Sequence, residues 1–362
     1  MSQMCPVCSR DNLDSAASCV HCAGPLRGLL GSHTLLESRY RVTRVLGCGG
    51  MGAVYLAEDA RIPGRQVAVK ENLDPRAQAQ FQAEVGVMTH LNHPGLPTIS
   101  DQFVGPAGRQ YLVMDFIAGE NLEELVMRRG PLPEPEVIAL VTQLLDTLDY
   151  LHGNSILHRD IKPANIKLGP AGRPVLVDFG IARQHVAGSR TQTWARGVGS
   201  PGFAPAEQYI GGTDARSDLY SLGAVIYFLL TGQAPPEAPR LAAGAPLTPP
   251  RQLRPDVTLG LQRIIFRALA PAPNQRFQSA DEMRRALAGL TQASGTTQVI
   301  RPPRPASRGL LVAAGVGAVA LAVFALSLAA GALSPKPTPA AVGRSIATDT
   351  VAVTVVPAGG RL

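Results

Sequence analysis

Nine residues, Leu157-His158-Arg159-Asp160-Ile161-Lys162-Pro163-Ala164-Asn165, place a carboxylate, an ammonium and a carboxamide in one short segment. Val177-Asp178-Phe179-Gly180 then brings a second carboxylate 18 residues after Asp160. Such a set can orient a hydroxyl nucleophile, neutralise phosphate charge and hold Mg²⁺. Upstream, Gly47-Cys48-Gly49-Gly50-Met51-Gly52-Ala53-Val54 has the form G-x-G-x-x-G-x-V. Glycines there let the backbone come close to a phosphate, and successive N–H groups can bind the anion. A dinucleotide-binding turn needs a helix after the third glycine, whereas Ala53-Val54-Tyr55-Leu56-Ala57 continues as a strand. A flap over phosphates fits better than that turn or a plain hairpin. Val67-Ala68-Val69-Lys70 ends an apolar strand on one of only four lysines among 34 basic residues. A compact ammonium suits phosphate oxygens and one carboxylate partner, and Glu84 in the next helical segment is the candidate. A strand-end lysine and a solvated glutamate are the plainer alternatives.

Four of the five cysteines, Cys5, Cys8, Cys19 and Cys22, form C-x2-C-x10-C-x2-C. Four thiolates complete a tetrahedral zinc shell, while an iron site or a redox pair would use the same ligands. No apolar secretory segment precedes them, so a reducing compartment and metal ligation are expected rather than disulfides. His21, His33 and Cys48 read as bystanders.

These groups need elements to position them. Residues 40–46 and 54–58 read as strands flanking the glycine turn, 66–70 and 110–116 as further strands, and 78–90 as a helix. Val137, Leu140, Val141, Leu144, Leu145, Leu148 and Leu151 recur at helical spacing, predicting one long amphipathic helix that ends near Gly153. Strands first and helices afterwards predict two lobes of different class.

The ordered motif set is that of protein kinases, and residues 40–290 resemble a bacterial eukaryotic-like (Hanks-type) serine/threonine protein kinase. The resemblance implies an α+β, bilobal kinase fold, with a β-rich N-lobe at 40–117 and a helical C-lobe at 118–290. It implies that Gly47, Gly49 and Gly52 cover the ATP phosphates and that Lys70 meets the α/β-phosphates and Glu84. Val54 and Ala68 would roof the adenine, Met114 would be the gatekeeper, and Ile117 would lie in the hinge. Asp160 matches the catalytic base, Lys162 the lysine that steadies the transferred phosphate, and Asn165 and Asp178 the Mg²⁺ (or Mn²⁺) ligands. Lys162 also points to serine/threonine rather than tyrosine substrates. Ser200, in Gly199-Ser200-Pro201-Gly202-Phe203, matches the loop that receives the substrate hydroxyl. Asp218 would anchor the catalytic loop and Arg276 would pair with Glu207. Two departures stand out: the usual Ala-Pro-Glu reads Pro205-Ala206-Glu207, and Lys167 occupies the usually apolar adenine floor. In the family an arginine at the place of Arg159 binds a phosphorylated activation loop. Thr191 and Thr193 are the expected phosphosites, with Arg183 completing the basic pocket.

The cysteine segment, residues 1–27, resembles a small zinc ribbon, implying structural Zn²⁺. Its place before the nucleotide lobe predicts that its removal leaves phosphotransfer largely intact. Residues 291–308 are polar and Pro/Arg-rich, a juxtamembrane linker. Residues 309–333 run 25 positions without a charge, enough to cross a bilayer. A Pro-rich tail, 334–362, is too short to be a folded sensor unaided. Arg301, Arg304 and Arg308 before the span, against Lys336 and Arg344 after it, orient the N-terminal side inward. The expected product is thus a single-pass membrane kinase with its catalytic domain cytoplasmic.

The chain has 362 residues, 45% hydrophobic and 17% charged, which excludes a wholly disordered protein. Its net charge of +7 comes from scattered residues without aromatic interleaving, so no nucleic-acid partner is indicated. Protein substrates with Ser/Thr and the membrane are the expected partners, with a homodimer compatible with trans-autophosphorylation. A pseudokinase scaffold is the alternative reading, opposed by the completeness of the catalytic set.

Overall fold

The computed structural model describes residues 2–49, 52–74, 78–178, 183–184 and 200–295. The chain divides into two compact units, Met1–Thr297 and Gln298–Leu362, and every described residue lies in the first. The membrane span expected at 309–333, the tail at 334–362, Thr191 and Thr193 fall outside the described residues. Among the described residues no helix is long and apolar enough to cross a membrane.

The chain opens with a small antiparallel hairpin, β1 (Ser2–Met4) and β2 (Asp11–Leu13). A six-stranded antiparallel sheet follows. It comprises β3 (Leu35–Leu36), β4 (Tyr40–Cys48), β5 (Gly52–Asp59) and β6 (Gln66–Asn72), then, after helix α1 (Gln78–Met88), β7 (Ile99–Val104) and β8 (Gln110–Asp115). Its spatial order is β3-β4-β5-β6-β8-β7. Register shifts in β4 against β5 fall between Val42 and Arg44 and between Val45 and Gly47, just before the glycine-rich loop. The period-two alternation of β6 sends Ala68 to one face, where Phe81, Val85 and Met88 of α1 cover it, and Val67 and Val69 to the other.

The outer face of an antiparallel sheet is often left to solvent. Here Met4, Leu29 and Leu36 join Tyr55, Val67, Val69, Tyr111 and Val113 in a second buried cluster. The N-terminal residues are seated on the sheet, a contact that the sequence does not announce.

The second lobe is helical, with α2 (Leu122–Arg129), α3 (Glu134–Gly153), α4 (Ala206–Ile210), α5 (Ala215–Thr231), α6 (Ala238–Ala242), α7 (Pro250–Leu253), α8 (Leu259–Ala268) and α9 (Ala280–Gly295). Two short antiparallel pairs of strands accompany the helices: β9 (Ile156–Leu157) pairs with β12 (Arg183–Gln184), and β10 (Ile166–Leu168) with β11 (Pro174–Leu176). All seven periodic apolar residues of α3 are buried, as amphipathic spacing requires. Helix α5 is almost wholly buried, so its polar residues need partners within the protein. Asp214 and Ser217 form a capping box at its start, and Gly232 ends it with φ +72°. Helix α9 runs to Gly295, past the 290 boundary expected from composition.

Candidate active site

A cleft of about 270 Å³ lies between the sheet and the helical lobe. Leu46, Gly47, Val54, Ala68 and Lys70 line it on the sheet side, Met114 and Ile117 along its back, and Asn165, Lys167 and Asp178 below. Eight of the residues singled out for the nucleotide and Mg²⁺ thus meet in one cavity: Gly47, Val54, Ala68, Lys70, Met114, Ile117, Asn165 and Asp178. Gly49 and Gly52 close the glycine-rich turn through a 2.9 Å N–H···O bond. A Cβ at Gly52 would lie 2.1 Å from the Glu71 carbonyl oxygen, so packing of β5 on β6 demands glycine there. Among the described residues, none beyond the chain neighbours comes within 4 Å of a Cβ built at Gly47 or Gly49.

Lys70 Nζ lies 3.5 Å from Asp178 Oδ1, drawing the strand lysine toward the acidic residue across the cleft. Glu84 lies on α1, but its side chain is outside what is described. Lys167, on β10 and bridged to Asn121, stands on the floor as its sequence position suggested.

Asp160 organises the adjoining loop. Lys162 Nζ donates to its Oδ2 at 2.9 Å, and Asn165 Nδ2 donates to the same oxygen at 2.8 Å and to the Asp160 carbonyl at 2.9 Å. Ser200 Oγ donates to Asp160 Oδ1 at 3.0 Å and accepts from Lys162 Nζ at 3.0 Å. A hydroxyl held between a carboxylate and an ammonium is the arrangement that proton removal beside a phosphate requires.

Asp218, on buried α5, holds this loop from beneath. Its Oδ2 accepts the His158 N–H at 3.0 Å, its Oδ1 the Arg159 N–H at 2.9 Å, and His152 Nε2 sits 2.9 Å from Oδ2. Burial works to raise the Asp218 carboxyl, but the hydrogen bonds from His152 and the Arg159 N–H outweigh it and hold the group below the usual carboxylate range. Burial pushes the His158 imidazole down, against the pull of Asp218, Asp160 and Asp178. Arg159 and Asp178 both adopt left-handed backbone, φ +67° and +64°. Such positions cost about 1–3 kcal/mol each and persist where surrounding contacts over-determine them.

Farther out, fully buried Arg276 makes a two-pronged pair with Glu207, Nη1–Oε1 2.6 Å and Nη2–Oε2 3.1 Å. Arg276 also donates to the carbonyls of Ala270 and Pro271, and Ser217 Oγ donates to Glu207. The altered Pro-Ala-Glu triplet therefore keeps the ion pair. His152, Asn121 and Glu71 were not singled out by sequence. Asn121 carries a capping-box signal with Glu124 that could have found it.

The four N-terminal cysteines converge. Their sulfur atoms all lie within 4.8 Å of one another, with Cys5–Cys22 and Cys8–Cys19 at 3.6 Å. Thiolates at about 2.3 Å from a tetrahedral zinc stand about 3.8 Å apart, so the donor set fits that ion. The two C-x2-C turns are built alike. The N–H of Val7 points at Cys5 Sγ and that of His21 at Cys19 Sγ, each at 3.4 Å, and Ser9 and Ala23 follow with φ +56° and +58°. Although burial opposes it, N–H donors from His21 and Cys22 bring the Cys19 thiol down to about 6. The Gly24 N–H lowers Cys22, but hydrogen bonding with Cys5 and burial push that thiol up to about 12. His21 and His33 stand outside the cluster.

A two-lobed fold with a glycine-rich turn, a strand lysine and this loop of aspartate, lysine and asparagine has the architecture of a protein kinase domain. The protein kinase domain model matches residues 40–277, and the chain belongs to that family. Among its relatives, serine/threonine-protein kinase PknB of Mycobacterium leprae is 35% identical over 266 residues, covering 69% of this chain and 42% of that protein. The probable serine/threonine-protein kinase SCO3848 of Streptomyces coelicolor is 37% identical over 265 residues, covering 69% and 39%. The chain thus spans less than half the length of these relatives. The solved structure of the apo form of PpkA-294 superposes with a TM-score of 0.60 at 28% identity, covering 71% of this chain and 99% of that one.

Proposed function

We propose that this chain transfers the γ-phosphoryl group of ATP to serine and threonine hydroxyls of proteins. The observation that carries the proposal is the Ser200 hydroxyl held at 3.0 Å by both Asp160 and Lys162, with Asn165 fixing the same carboxylate. A substrate hydroxyl brought within that reach would give its proton to Asp160 as it attacks, while Lys162 steadies the transferred phosphoryl. Val54 and Ala68 roof the base, Met114 and Ile117 border it, and Lys70 meets the α/β-phosphates beneath the glycine flap. Asn165, whose amide nitrogen is spent on Asp160, and Asp178 are the residues to hold Mg²⁺ or Mn²⁺. That ion supplies charge neutralisation of the β- and γ-phosphates. Asp218 positions the loop, and Glu207 with Arg276 positions the segment that follows Ser200. A pseudokinase is disfavoured because no member of the set is replaced.

The cysteine cluster is read as a structural Zn²⁺ site, supported by sulfur spacing and by paired N–H···S turns. Residues 309–333 are read as a membrane anchor, with residues 1–308 cytoplasmic, where ATP is, and 334–362 a short outer tail. Thr191 and Thr193 are read as autophosphorylation sites, in trans within a homodimer, whose phosphates meet Arg159 and Arg183. Phosphate there adds negative charge and acceptor oxygens that can order a loop on guanidiniums.

The experiment is mass spectrometry of the full chain after incubation with Mg²⁺ and ATP, in the wild type and in Thr191→Ala/Thr193→Ala. Phosphoserine or phosphothreonine on the chain or on an added protein, with slower transfer by the double variant, is the expected result. No phosphate on any hydroxyl would defeat the kinase reading; a fully active double variant would defeat the activation-loop reading alone.

A further inference from the structure

The strand that presents Lys70 to the cleft carries Glu71 on its opposite face. Glu71 is fully buried, and its carboxylate accepts from Tyr55 Oη at 2.6 Å, Tyr111 Oη at 2.8 Å and Arg109 Nη1 at 2.8 Å. Burying a carboxylate is costly unless its oxygens are satisfied, so this network is a specified feature of the strand. Burial and the nearby Glu71 charge push both tyrosines above their ordinary range, keeping their hydroxyls as donors.

Tyr55 Oη also accepts the N–H of Leu30, at 3.2 Å. Leu30 lies just past the cysteine segment and is tied back to it, because its carbonyl accepts the Met4 N–H at 3.3 Å. Met4, the residue before Cys5, is itself fully buried in the outer-face cluster. On the other side, Ser9, which follows the first C-x2-C turn, places its Oγ 3.5 Å from the Val45 carbonyl. Val45 is next to Leu46 and Gly47, which line the nucleotide cleft. The segment around the four-cysteine knuckle therefore bears on strands that line the cleft: β4 leading into the flap through Ser9, β5 through Tyr55, and, by way of Tyr55 and Glu71, β6 carrying Lys70.

We propose that the metal-loaded knuckle is a clamp that sets nucleotide affinity. Zinc on Cys5, Cys8, Cys19 and Cys22 keeps residues 2–32 seated on the outer face of the sheet, and that seating holds β4 and β6 where ATP needs them. The proposal rests on the zinc reading above and replaces the expectation that the ribbon is dispensable. A knuckle this small has too little core to hold its shape without the ion, so metal loss frees Met4 and Leu30 from their places. Linkage makes the effect mutual: bound nucleotide tightens zinc by the same factor that zinc tightens nucleotide.

The test uses the full chain in detergent under reducing conditions. Zinc per chain is measured first. Binding of a fluorescent ATP analogue with Mg²⁺ is then titrated for loaded, chelator-stripped and zinc-restored protein. The expected result is about one zinc per chain, with binding weaker by about 5- to 150-fold on stripping, the range usual for coupled sites, and recovered on restoration. Tyr55→Phe guards against simple unfolding: it keeps all four cysteines but loses the link from Leu30 to Glu71. It should retain its zinc and bind the analogue more weakly than wild type. Absence of zinc from reduced protein overturns the site and the clamp together. Zinc present, with analogue affinity unchanged by stripping and in folded Tyr55→Phe, overturns the clamp and leaves the site standing.

Discussion

Asp160 accepts from three side chains at once, Lys162, Asn165 and Ser200, and each contact constrains a different oxygen or direction. Asp160→Asn preserves that shape but removes the proposed base. It should lower the phosphotransfer rate by about 10²–10⁴-fold while leaving ATP-analogue affinity near wild type. Equal losses in both would place Asp160 in binding rather than chemistry. Arg276 is a different kind of residue, since its guanidinium is buried and its partner Glu207 is nearly so. Arg276→Ala leaves a carboxylate without its cation, a change that costs about 3–5 kcal/mol in buried pairs. A thermal melt of the variant is expected to show a clear drop; an unchanged melt would mean that Glu207 is satisfied by Ser217 alone.

At the scale of elements, the loop around Asp160 hangs from α5 by Asp218, and burial pushes the imidazole of its member His158 down. His93, between α1 and β7, is also pushed down by burial, against Asp146. Both histidines take up protons more readily in the unfolded chain, whose imidazoles titrate near 6.5. Unfolding then binds protons as pH falls below that value, so stability should decline from about pH 7 to pH 5. A second decline is expected below about pH 4, where Asp218 and Asp59, both held low, must finally be protonated. A melting temperature flat between pH 7 and 5 would contradict the downward shift of these two histidines.

The elements also show what a sequence can reveal. Helix α3 was legible because its apolar spacing matches the face it buries, and β4, β5, β6 and β8 because apolar alternation flanks recognisable turns. Strand β7, Ile99–Val104, was not, since its side chains alternate between half-buried and exposed and carry little hydrophobic signal. The residues that meet at the cleft and around Asp160 could be picked out because they are concentrated in short motifs. Glu71 was not, because its partners Tyr55 and Tyr111 lie 16 and 40 residues away and nothing local distinguishes it from a solvated glutamate.

For the whole molecule, the seating of residues 2–32 on the sheet joins the knuckle to the kinase fold, while residues 309–333 are read as joining that fold to a bilayer. The full chain should sediment with membranes, and a chain ending at Arg308 should not; equal partitioning of the two would remove the anchor from the account. The central claim is phosphotransfer to protein hydroxyls by the loop around Asp160. Its most direct measurement follows γ-labelled ATP with Mg²⁺ and a generic protein acceptor, using the full chain and Asp160→Asn side by side, with acid-stable phosphoamino acids identified. The account predicts label on serine or threonine with the wild type and little with the variant. Label appearing at equal speed with both, or on neither residue type, would contradict it.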